Sequence, residues 1–194
     1  MKFKKFISPL LWTAGLGLMV LMQNCCPPNK LLGSTSATLR AQETNMWCWA
    51  ASGEMCMDYL GTNVTQCDEA NKRFGRTDCC NSTVPNACVN GGWPEFDKYN
   101  FTFNRTSDQP LSWNAIKKQI YCKKKPIAFS WHWSGGGGHM MVVYGYAQVG
   151  DIRYLAIHDP WAPNVGESRF ITYEEYVSGT GHTHWDDFYN ITKL

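Results

Sequence analysis

The 194-residue chain has no apolar run of bilayer length, no internal repeat, no C-x-x-C pair and no Lys/Arg-rich stripe beyond Lys123–Lys125. The first absence argues against a membrane-spanning helix, which needs about 20 apolar residues. The nearest candidate, residues 7–22, is 16 residues long and contains Pro9. The second leaves one ordinary domain, or at most two small lobes sharing a core, for a chain of this length. The third weakens any zinc reading, and the fourth makes nucleic acid an unexpected partner. What the chain does have is apolar surface and sulfur: 44% hydrophobic residues, nine each of Trp, Tyr and Phe, and nine cysteines. That is enough for a packed core, and more cysteine than a reduced cytosolic protein needs.

Lys2, Lys4 and Lys5 ahead of the apolar run make the pattern of an export signal. Taking residues 1–24 away removes three of the 18 basic residues and none of the 16 acidic ones, so the formal charge falls from +2 to −1. No A-x-A cleavage site follows, but Leu21-Met22-Gln23-Asn24-Cys25 resembles the lipobox of bacterial lipoproteins, with Asn24 where a small residue is usual. That resemblance implies a lipid anchor at Cys25 and a place in the bacterial cell envelope; the alternatives are an uncleaved membrane anchor or an ordinary secretory peptide. Residues 25–41 read as a polar tether and 42–194 as the folded domain. An oxidising destination favours disulfides.

From Trp47 a helix is expected: Ala51, Met55 and Tyr59 recur every fourth residue, and Gly61 stops it. Residues 62–92, rich in Asn, Gly, Thr and Cys, read as short helical pieces and loops needing covalent support. A second helix is expected from Ser112, as N-cap, to about Tyr121. Beyond Pro126 the pattern turns to strands, at 127–133, 140–146, 154–158, 170–172 and 187–192, with a short helix at 173–177. Helices first and strands later predict an α+β fold with a helical N-terminal lobe facing an antiparallel β lobe.

The expected first helix puts Cys48 in its first turn, where unpaired N–H groups and the positive end of the dipole favour a thiolate. Gln42 lies six residues earlier; Gly137-Gly138-His139 opens an apolar strand; and a neighbouring strand ends Ile157-His158-Asp159-Pro160-Trp161. In these four positions the chain resembles the papain-like cysteine peptidases. Trp47-Cys48-Trp49-Ala50-Ala51-Ser52, Cys79-Cys80, Gly91-Gly92-Trp93-Pro94 and His158-Asp159-Pro160-Trp161 resemble the compact bacterial branch that includes secreted avirulence-effector proteases. Asp159 stands where papain has Asn, as it does in that branch. The resemblance implies a two-lobed papain-like fold and a peptide or protein substrate. It makes Cys48 the nucleophile, His139 its acid–base partner and Asp159 the orienting acceptor, with Gln42 donating to the oxyanion. The chemistry requires no metal and no cofactor.

Four other histidines compete. His132 is a strand residue, His158 alternates with Asp159 and so faces the other way, and His182 and His184 fall in a Gly/Thr-rich loop. Gly135–Gly138 reads as a hairpin connection or as open backbone for a substrate; Trp131, Trp133 and Trp161 read as cleft wall or as core. Cys56, Cys67, Cys79, Cys80, Cys88 and Cys122 remain for up to three disulfides, a Cys79–Cys80 bridge being disfavoured by the short Cα separation of neighbours. Two other functions stand beside the peptidase: an exported, catalytically silent papain-like module that holds a peptide or glycan through its tryptophans, and an acyl transferase using the same residues. Oligomeric state is not legible.

Overall fold

The structure is a computed structural model that describes residues 30–194; the expected export signal, Cys25 and Cys26 lie outside the described residues. Four helices and an eight-stranded antiparallel sheet make an α+β fold. In chain order the elements are β1 (Leu32–Ser34), α1 (Cys48–Tyr59), α2 (Gln66–Phe74), β2 (Phe101–Arg105), α3 (Trp113–Lys117) running into a π-turn at Lys118–Cys122, β3 (Ile127–Trp133), β4 (Gly138–Val149), β5 (Ile152–Asp159), β6 (Glu167–Thr172), α4 (Tyr173–Val177), β7 (Ser178–Gly179) and β8 (His182–Lys193). The sheet runs β2-β8-β3-β4-β5-β6, with β7 on β8 and β1 on the part of β4 that β3 leaves free.

The sheet is buried on both faces, so its central strands lack a simple apolar/polar alternation. Ala128, Met140 and Val142 face one apolar cluster with Trp47, Trp49, Met55 and Phe188. Their neighbours Phe129, Trp131, Met141 and Val143 face another with Ile116, Ile120, Leu155 and Tyr176. Helix α1 covers the first face; α3, its π-turn and α4 cover the second.

Local signals account for the helix ends. Thr65 and Ser112 cap α2 and α3 by accepting from Asp68 N and Ala115 N, and Gly75 closes α2 in the left-handed conformation. At Gly53, α1 passes so close to α2 that a Cβ would stand 2.4 Å from Glu69 Oε1. Burial raises the Glu69 carboxyl well above the ordinary carboxylate range. Its Oε2 accepts from Glu95 N at 2.9 Å, and Arg73 pairs with Glu95 at 2.9 Å, so α2 holds the 91–95 segment in place.

Several expectations need correction. Of the segment expected as a tether, residues 32–41 belong to the fold: β1 pairs with β4, and Ala37 is buried. His182 and His184 lie in β8, not in a loop, opposite Trp133 and Trp131 of β3 and buried beneath α4. Cys56 is a free, buried thiol inside α1. Cys67 pairs with Cys80 and Cys79 with Cys88, which staples the 62–92 region as expected, and Cys122 is disulfide-bonded as well.

Candidate active site

Cys48 is the first residue of α1, half-buried, with no side-chain cap and no acidic residue in the first turn to compete for its N–H groups. The N-terminus is anchored by tryptophans. Trp47 Nε1 donates to Cys88 O at 2.7 Å and Trp49 Nε1 to Asn90 O at 3.1 Å, so the stapled loop fixes the helix end that carries the thiol.

His139, the second residue of β4, stands opposite Trp131 of β3. Its Nε2 meets Asp159 Oδ1 at 2.6 Å, and the ring lies nearly parallel to Trp133, centroids 6.5 Å apart. With Nε2 committed to Asp159, Nδ1 is the ring nitrogen left for the Cys48 thiol, which lines the same cleft. Burial disfavours the imidazolium, but the hydrogen bonds and charges of Asp159 and Cys48 outweigh it and raise His139 from 6.5 to about 9.

Asp159 ends β5. Its Oδ1 also accepts from Trp161 N at 3.0 Å, and its Oδ2 from Arg169 Nη2 at 3.2 Å. Burial pushes this carboxyl up, yet the four donors and charges around it leave it below the ordinary carboxylate range. Gln42 is buried, and its backbone is clamped to the loop after β5, its N–H donating to Pro160 O and its C=O accepting from Asn164 N. Its Nε2 spends one hydrogen on Thr44 O at 2.6 Å, leaving the second unassigned, while Oε1 has no partner.

All four expected residues line one cleft of about 590 Å³. Six tryptophans line it: Trp131, Trp133 and Trp161, of which Trp131 also belongs to the core, with Trp49, Trp93 and Trp185 in addition. Gly136 and Gly137 take left-handed conformations that close the β3–β4 hairpin, and a Cβ on Gly138 would stand 2.4 Å from Trp131 O. The rival histidines are engaged elsewhere. His158 contacts Ser168 Oγ and Ala37 O on the face away from Asp159, and burial lowers it from 6.5. His132 packs on Trp185, His182 stacks on Trp131, and His184 lies between Tyr176 O and Asp187.

Arg169 and Arg73 also line the cleft and are absent from the sequence reading, and Trp49 enters it only within the motif around Cys48. An arginine in a short edge strand carries no sequence signal of its own; only the pairing of β6 with β5 brings Arg169 beside Asp159. Among the described residues, the His/Cys/carboxylate groups near enough to share an ion centre on Cys67, Cys80, Cys79 and Cys88, whose sulfurs are already bonded to one another.

A family model described as papain-like cysteine protease AvrRpt2 matches residues 33–178, a span that begins within β1 and takes in Gln42, Cys48, His139 and Asp159. No curated protein matches the chain.

Proposed function

The chain belongs to the papain-like cysteine proteases of the AvrRpt2 family, and from that premise we propose that it is an exported endopeptidase in which Cys48, His139 and Asp159 form the catalytic triad and Gln42 supplies an oxyanion donor. The observation that carries this reading is the position of His139, held through Nε2 by Asp159 at 2.6 Å and lining one cleft with the Cys48 thiol at a helix N-terminus.

In this mechanism Cys48 attacks the scissile carbonyl as a thiolate, partnered by imidazolium. His139 Nδ1–H protonates the leaving amine, then the neutral ring takes a proton from the water that hydrolyses the thioester. Asp159 keeps the ring turned and stabilises its charged form. The Cys48 backbone N–H and the second hydrogen of Gln42 Nε2 receive the oxyanion. The cleft is read as running between a helical lobe and a β lobe, and its tryptophan walls suit an extended, apolar peptide.

Export is part of the proposal. No helix among the described residues is long and apolar enough to cross a membrane, and the disulfides are compatible with an oxidising compartment. Residues 1–24 are read as the signal and Cys25 as the lipid anchor, giving a bacterial envelope or secreted protein.

The test is to label the protein with an epoxide-type thiol inhibitor, map the adduct and digest a peptide library. The expected result is modification at Cys48, cleavage of peptides, and loss of both in Cys48→Ala. A Cys48 no more reactive than a free thiol, or cleavage surviving Cys48→Ala, overturns the reading. The buried Cys56, whose thiol burial pushes far up, serves as the internal unreactive control.

A further inference from the structure

Arg169 touches neither Cys48 nor His139 in any described hydrogen bond or ion pair, yet it is built into their support. Its Nη2 donates to Asp159 Oδ2 at 3.2 Å, on the carboxylate oxygen that His139 does not use. The guanidinium lies over the Trp131 ring at 5.9 Å. It is held from the other sides by Glu167 at 3.1 Å and Glu175 at 3.8 Å. The charged and titratable groups around the couple are thus Cys48 on α1, His139 on β4, Asp159 on β5, Glu167 and Arg169 on β6, and Glu175 on α4.

We propose that Arg169 is a positioning residue: its guanidinium fixes the rotation of the Asp159 carboxylate and keeps it ionised, and thereby sets the pH window in which Cys48 and His139 hold their ion pair. The proposal rests on the reading of Cys48 and His139 as the catalytic pair.

Two consequences follow from charge and geometry. A carboxylate held at one oxygen by His139 Nε2 and Trp161 N, and at the other by one arm of a planar guanidinium fork whose other nitrogens face Glu167 and Glu175, cannot rotate without breaking one set of bonds. Arg169 also places a fixed positive charge on the far side of Asp159 from the imidazolium. That charge favours the Cys48 thiolate, disfavours the imidazolium and competes with it for the carboxylate. Removing it therefore moves the formation of the ion pair and its loss in the same direction, toward higher pH. A fixed charge at such separations, partly screened by water, moves a titration by about half a unit or more.

The experiment is the rate of Cys48 alkylation by iodoacetamide against pH, which needs no peptide substrate, read beside peptide cleavage. In Arg169→Gln both inflections are expected to rise by about half a unit, so that alkylation at a pH below the parent's lower inflection falls about threefold. In Arg169→Lys, which keeps the charge and loses the planar fork, the window should stay in place while the optimum cleavage rate falls severalfold. An unshifted window in Arg169→Gln, or a lysine variant with a shifted window or an undiminished rate, overturns the proposal. Should Arg169→Gln fail to fold by circular dichroism, the lysine variant alone decides on those same two readings. A parent protein whose Cys48 shows no enhanced alkylation at neutral pH would instead defeat the protease reading, and the parent curve reports that without any variant.

Discussion

At the residue scale, His139 and Asp159 respond to pH in opposite directions. His139 is raised to about 9, so the stability it contributes is fully present below its unfolded value of 6.5 and is lost as pH rises through about 9. Its partner Asp159 is lowered, so that contribution is present above 3.8 and is lost as pH falls through the lower folded value. Denaturant titrations of the parent and Asp159→Ala at a series of pH values should therefore give a stability difference that is flat between about 4 and 6.5 and shrinks toward pH 9. Gln42→Ala should retain the fold's core and lose about a hundredfold or more in kcat, the usual consequence of removing one oxyanion donor. Cys48, His139 and Asp159 were legible as candidates because each stands at an element boundary marked by glycine, proline or a helix start, whereas Gln42, in the loop between β1 and α1, was suggested only by the resemblance to the family. Arg169 was hidden because its role depends on strand pairing. Cys56 was misjudged because a buried helical thiol and a half-cystine have the same letter and similar apolar neighbours.

At the element scale, the hairpin and the stapled loop do different jobs for the site. A Cβ on Gly138 would meet the Trp131 carbonyl and the Trp185 ring, whereas nothing lies within 4 Å of one on Gly135. Gly138→Ala should lower the melting temperature and cut activity by displacing the start of β4; Gly135→Ala should change neither. The Cys79–Cys88 bridge closes a short loop whose carbonyl at Cys88 receives the Trp47 indole. Cys79→Ser with Cys88→Ser should cost about 2–3 kcal/mol by the loop-entropy argument, measured by urea unfolding, and should slow Cys48 alkylation because the helix end is no longer held. Helix α1 was legible from its four-residue stripe and Gly61. Strand β8 was only half legible, since its first residues, His182 to His184, look like loop and are drawn into the sheet by pairing with β3.

At the scale of the whole molecule, the correction at the N-terminus matters most. Thr35 N donates to Tyr144 O and Gln148 N to Leu31 O, both at 2.7 Å, and His158 Nε2 contacts Ala37 O at 2.8 Å. A chain begun at Gln42, where the sequence places the domain boundary, strips these partners from the buried length of β4 and β5. It should be insoluble or melt far below a chain begun at Lys30, as circular dichroism of the two would show. Short polar strands such as Leu32–Ser34 escape a sequence reading because three residues carry no periodicity; they are strands only where a longer neighbour has an unfilled edge.

The backbone clamp on Gln42 has a consequence for how substitutions combine. Its N–H and C=O are bonded to Pro160 and Asn164, on the loop that follows Asp159. Gln42, the proposed oxyanion donor, and Asp159, the carboxylate partner of His139, are therefore carried by a single piece of jointly ordered backbone, although they are far apart in sequence. Energetic effects at the two positions should fail to add: disturbing one already releases part of the order that the other depends on. In a double-mutant cycle, Gln42→Ala combined with Asp159→Ala should lose less cleavage rate than the product of the two single losses, so the site behaves thermodynamically as one cooperative unit.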